Sequence, residues 1–83
     1  MAPRLKILSG PASVAALRNF GFEVVATRGS HAKLRQEGPG GLRQTMTVPI
    51  HKELARGTAL ALYRQALSYV ADAELRPWFF TND

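Results

Sequence analysis

Eighty-three residues with an apolar fraction of 46% describe one small folded domain, because a second hydrophobic core would have nothing to fill it. The absence of cysteine removes disulfides, thiolate metal ligands and cysteine nucleophiles together, and it fits a reducing, cytoplasmic setting. Eleven Lys and Arg against six Asp and Glu leave a net charge of +5, which points to an anionic partner, nucleic acid first.

The chain opens Met1-Ala2-Pro3-Arg4-Leu5, without a secretory h-region, and no later apolar run approaches the ~20 residues of a membrane span. No membrane partner is expected. Leu8-Ser9-Gly10-Pro11 is the first punctuation: Ser9 suits an N-cap and Pro11 a first helical turn. Val14, Leu17 and Phe20 then form one apolar stripe, and Gly21 stops it, which predicts a helix over about 11–20. Residues 22–28 are rich in β-branched side chains and predict a strand. Gly29-Ser30 is a turn signal, and residues 31–36 alternate polar and apolar, so the pair is a hairpin. Glu37 to Gly41 is a glycine-rich loop, and Thr45-Met46-Thr47-Val48 alternates again before Pro49.

Residues 50–57 are expected to connect to a second helix beginning near Thr58. In it Leu60, Tyr63, Leu67 and Val70 make one stripe, flanked by Leu62, Ala66, Tyr69 and Ala73. Sixteen residues would make a rod of roughly 24 Å, ended by Arg76-Pro77 and followed by an aromatic extension, Trp78-Phe79-Phe80. The expected architecture is α+β: an α-β-β-β-α two-layer sandwich over residues 1–83. Its three-stranded antiparallel sheet carries both helices on one face. The core is expected within about 8–70 and the extension over 71–83.

A sheet covered on one side leaves its other side in water. Ala32 and Leu34 must face the helices, so His31, Lys33 and Arg35 point outward, with neighbours about 7 Å apart. Met46 and Val48 likewise face inward, and Thr45 and Thr47 outward. Two fixed cations suit backbone phosphates, and the histidine is the one of the three suited to proton transfer. Alternation by itself favours an ordinary solvated polar face that carries surface charge. The basic excess is concentrated in residues 1–70, at +7, while residues 71–83 carry −2.

The sequence resembles the HicA toxins, also called the YcfA-like family, which are small mRNA interferases of type II toxin–antitoxin systems. Leu8-Ser9-Gly10 matches the opening of the family's first helix, and Leu17 to Phe22 (LRNFGF) its leucine–x–x–x–Gly–Phe exit. Arg28-Gly29-Ser30-His31 matches the family's Gly-Ser-His turn, and Lys33-Leu34-Arg35 the strand after it. Thr47-Val48-Pro49 and His51-Lys52-Glu53-Leu54-Ala55-Arg56-Gly57-Thr58 match the third-strand ending and the approach to the second helix. Residues 8–67 are covered, with the blocks in order and at fitting spacings. Where the family commonly stops its second helix with glycine, this chain continues Leu67-Ser68-Tyr69, and a longer helix is expected.

The resemblance implies a double-stranded-RNA-binding-domain-like fold, ribosome-independent RNA cleavage with His31 as catalytic residue, and a HicB antitoxin that masks the site. RNA carries its own nucleophile, the 2′-hydroxyl, so cleavage needs a base, an acid and charge stabilisation. His31 would take the 2′-hydroxyl proton or protonate the leaving 5′-oxygen; one imidazole cannot start in both states, so another group or water shares the work. Gly29 and Ser30 form the supporting turn, and Arg28, Lys33 and Arg35 are candidate RNA contacts. Lys52 and Arg56, with Thr58, would cradle phosphate near a helix N-terminus. His51 is a secondary candidate, for catalysis or for RNA contact. No metal or small-molecule cofactor is expected, as no carboxylate cluster is apparent. Two readings of other classes compete: a non-catalytic double-stranded-RNA-binding module, and a protein-interaction domain with an acidic partner.

Overall fold

The computed structural model describes residues 3–41 and 43–81. Its first helix, α1 (Gly10–Arg18), starts where the Ser9 hydroxyl accepts the Ala12 amide at 3.0 Å, with Pro11 in the first turn. It ends as expected: Gly21 adopts φ +91°, and the Phe22 amide donates back to the Leu17 carbonyl. Of the expected stripe Leu17 is fully buried, while Val14 and Phe20 pack around the core's margin.

Three strands follow, β1 (Glu23–Arg28), β2 (His31–Glu37) and β3 (Arg43–Pro49), in a single antiparallel meander ordered β1-β2-β3. Between β2 and β3, Pro39–Gly41 forms one 3₁₀ turn, closed by Gly40 at φ +73°. Alternation places Ala32, Leu34, Met46 and Val48 against the helices, each at most 2% exposed. The outer strand behaves differently. Every residue of β1 is exposed, Val24 and Val25 included, because the helices cover β2 and β3 and leave the edge strand uncovered. β-Branched composition marks an extended chain but not what lies over it. A bulge between Val24 and Ala26 interrupts the pairing of β1 with β2 and twists that edge.

The C-terminal third corrects the expected single long helix. Helix α2 spans Arg56–Ala66, beginning two residues before Thr58, and α3 spans Asp72–Phe79. The expected rod breaks after Ala66, where the Tyr69 and Val70 amides both return to the Ala66 carbonyl. Ser68, Tyr69 and Val70 are indifferent helix formers, and Tyr69 turns inward to meet Phe22 with ring centroids 5.9 Å apart. A new helix then begins with Asp72 and Glu74 in its first turn, where carboxylates suit the helix dipole. Arg76-Pro77 does not end a helix but lies inside α3. The lost N–H falls in the last turn of an eight-residue helix, where the disruption is confined to the helix end. The element order is therefore α-β-β-β-α-α. Of the expected stripe, Tyr63 in α2 and Val70 in the turn after it are buried, while Leu67 at the break is 38% exposed.

Helix α3 closes the core. Leu75 and Phe79 are fully buried, and the Tyr63 ring lies between Phe79 and Phe80 at 5.4 and 5.0 Å. The Tyr63 hydroxyl donates to Asp72, which also accepts from Arg76 at 3.3 Å, so α2 and α3 are fastened at their junction. Residues 4–6 run antiparallel to residues 79–81: Lys6 N donates to Phe79 O at 2.8 Å, and Thr81 N to Arg4 O at 2.7 Å. The aromatic extension thus packs on the domain, with Trp78 edge-on to Phe20 and 39% exposed. Asn82 and Asp83 of the expected extension lie outside the described residues.

Candidate nucleic-acid interface

The helices occupy one face of the sheet, so the residues paired across its other face form a grid open to water. Across β2 and β3 the register sets His31 opposite Pro49, Lys33 opposite Thr47, Arg35 opposite Thr45 and Glu37 opposite Arg43. Across β1 and β2 it sets Arg28 opposite His31, Ala26 opposite Lys33 and Glu23 opposite Arg35. The expected row of His31, Lys33 and Arg35 on the solvent side of β2 is present.

His31 is the first residue of β2, and the two-residue link Gly29-Ser30 sets it there. Gly29 has φ +55° while Ser30 does not have positive φ, the sign pattern of a type II′ hairpin turn. A Cβ on Gly29 would meet nothing within 4 Å, so the glycine serves backbone conformation and leaves the space above the turn clear. From behind, the turn is held by the chain leaving β3: the Ile50 amide donates to the Ser30 carbonyl at 2.6 Å. That segment is fixed in turn by α1, whose Gly10 amide donates to the His51 carbonyl at 2.7 Å. Gly10 lies so close that a Cβ there would fall 2.1 Å from the Pro49 carbonyl oxygen. The turn is thus fixed to the helical layer through backbone.

In front of the turn lies a concavity of about 470 Å³ lined by Ala26, Thr27, Arg28, His31, Lys33 and Thr47. Its charged lining is wholly basic or imidazole. The His31 side chain is exposed, and neither it nor the Ser30 hydroxyl has a hydrogen-bond partner among the described residues. Both are free to meet a ligand. An exposed imidazole between two fixed cations can transfer a proton while the cations hold an anion against it.

The other candidates divide. Arg35 lines a second concavity further along the sheet, with Gly21, Glu23, Val25, Glu37 and Arg43. His51, Lys52 and Arg56 line neither concavity; all are exposed in the segment from the end of β3 to the start of α2. Arg56 is the first residue of α2, and Ala55 before it provides no side-chain cap, so the helix's first amides are unoccupied by a capping group. Sequence reasoning missed Arg43, Glu23 and Glu37. The alternation that sorted Thr45 and Thr47 extends to Arg43 if β3 is begun two residues earlier; Glu37 and Glu23 follow from the register. Among the described residues no three His, Asp or Glu side chains come together as a metal site.

Comparison with protein families gives one finding. The profile described as HicA toxin of bacterial toxin–antitoxin matches residues 13–67, most of the chain and all three strands. The chain belongs to the HicA toxin family. No curated protein and no solved structure matches it. The HicA match takes in the hairpin turn, both concavities and the start of α2, and stops at the turn after α2. Helix α3, which completes the core with Leu75 and Phe79, lies beyond the match. Membership makes the chain a toxin of the toxin–antitoxin class, with an antitoxin partner as the general expectation of that class. No helix among the described residues is long and apolar enough to cross a membrane.

Proposed function

We infer that this HicA-family toxin is an endoribonuclease that cuts single-stranded mRNA on the open face of its sheet, with His31 as the catalytic residue. The observation that carries the reading is the exposed His31 imidazole in a concavity whose other charged linings are Arg28 and Lys33. The scissile phosphate binds between these cations. The ribose 2′-oxygen attacks the adjacent phosphorus, the bond to the 5′-oxygen of the next nucleotide breaks, and a 2′,3′-cyclic phosphate and a free 5′-hydroxyl result. The proton lost by the 2′-hydroxyl and the one gained by the 5′-oxygen balance. His31 performs one of these transfers and water the other. Charge on the phosphate oxygens in the transition state is met by Arg28 and Lys33, so the reaction needs no metal or organic cofactor.

Ser30, at the open side of the turn, donates to a phosphate oxygen. Arg35 extends the cationic row along β2, and Lys52, Arg56 and His51 hold RNA beyond the turn, near the first amides of α2. The partner is an antitoxin of the HicB type, which neutralises the toxin by laying an acidic surface over Arg28, His31 and Lys33. The test pairs growth with chemistry. Expression of the wild-type chain without antitoxin arrests growth, purified protein cuts mRNA in EDTA, and His31→Ala abolishes both while its circular dichroism is unchanged. A His31→Ala variant as toxic and as RNA-degrading as wild type overturns the assignment.

A further inference from the structure

The second concavity, about 420 Å³ on the same open face, differs in charge from the one around His31. Arg35 and Arg43 line it together with Glu23 and Glu37, and Val25 at the bulge of β1 adds an apolar surface 46% exposed. Register sets Glu23 opposite Arg35 and Glu37 opposite Arg43, yet neither couple forms an ion pair. The Arg35 Nε is buried and has no hydrogen-bond partner. Solvent does not reach that nitrogen, so a ligand in the concavity meets Arg35 through its two terminal nitrogens. A phosphate does not suit this lining, since two carboxylates would repel it. A neutral group with its own donors and acceptors does. Arg35 lies four residues along β2 from His31, about 13 Å, a distance a bound strand spans within a few nucleotides.

Resting on the ribonuclease reading, the geometry points to a base-reading subsite here that selects guanine in the RNA strand bound at His31. Guanine is the base whose edges best match the set: O6 and N7 accept from an arginine fork, while N1–H and the N2 amino group donate to a carboxylate. In single-stranded RNA both edges are free to be read, and the base plane rests on Val25.

The test uses the wild-type chain and hexameric 2′-O-methyl RNA, which lacks the nucleophile and stays intact. All-uracil oligomers carry one guanine stepped through each position, then adenine, cytosine or hypoxanthine at the best position. One position should bind about 5- to 150-fold more tightly with guanine than with uracil, and hypoxanthine, without the N2 amino group, should recover only part of the gain. The double variant Glu23→Gln, Glu37→Gln should lose that preference while binding the all-uracil oligomer more tightly, because negative charge has been removed. Equal binding of all oligomers overturns the guanine subsite and leaves the ribonuclease reading standing. A preference that survives in the double variant also overturns it, as the carboxylates then only face arginines across the sheet. Absence of binding to every oligomer overturns both.

Discussion

Gly10 and Gly57 both lie within the first two residues of a helix, and the fold predicts opposite responses when each becomes alanine. At Gly10 the new Cβ would lie 2.1 Å from the Pro49 carbonyl oxygen, 2.7 Å from Ile50 Cα and 2.9 Å from the His51 nitrogen. All three are backbone, so no side chain can swing aside. Ordinary contact begins at 3.4 Å, so the end of β3 must retreat by about 1.3 Å. Overpacking on that scale costs about 1–3 kcal/mol. The retreat also strains the bonds from Gly10 N to His51 O and from Ile50 N to Ser30 O, each contributing about 1 kcal/mol. Improved helix propensity returns less than about 1 kcal/mol. The net loss is about 3 kcal/mol, or about 12–24 °C in Tm for a domain of this size. Gly57→Ala meets nothing within 4 Å and should stabilise by about 0.5–1 kcal/mol. Thermal and urea unfolding followed by circular dichroism measure both. A Gly10→Ala variant within 0.5 kcal/mol of wild type would refute the close approach of α1 to the end of β3. Because Ile50 holds the hairpin turn, the residual folded Gly10→Ala protein should also cut RNA more slowly.

Two further outcomes follow from the fold and the face. Tyr63→Phe leaves Asp72 without its hydroxyl donor at the junction of α2 and α3; since the Asp72 side chain is 48% exposed, urea unfolding should show a loss of only about 0.5–1.5 kcal/mol. Lys33→Ala removes one phosphate contact, so the slope of log affinity against log salt for single-stranded RNA should become shallower by about 0.7, read by fluorescence titration.

Much of this fold could be read from the chain because local chemistry and tertiary need agree in its first half. Ser9, Gly21, the Gly29-Ser30 turn and the alternation of residues 31–36 each have one structural use, and each is used that way. The second half misleads for a physical reason. The apolar stripe from Leu60 to Val70 includes Leu67, which the break leaves 38% exposed, and apolar spacing alone cannot tell that residue from its buried neighbours or place the turn at Ser68. Pro77 reads as a terminator but sits in the last turn of α3, where its lost hydrogen bond falls at the helix end. Exposure of β1 was equally hidden, since it depends on how far the helical layer extends. At the site, His31, Arg28 and Lys33 emerge from alternation and the turn together. Glu23 and Glu37 needed strand register, and Arg43 needed a third strand that begins two residues before Thr45.

In the proposed reaction a ribose 2′-hydroxyl attacks on the open sheet face and His31 carries one of the two proton transfers. A DNA oligonucleotide with a single ribonucleotide tests it most directly, with products resolved by mass spectrometry. Wild-type protein in EDTA should cut only after the ribonucleotide and leave a 2′,3′-cyclic phosphate, and His31→Ala, folded to the same extent, should leave the strand whole. Cleavage of the all-DNA strand, or equal cleavage by His31→Ala, would contradict the account.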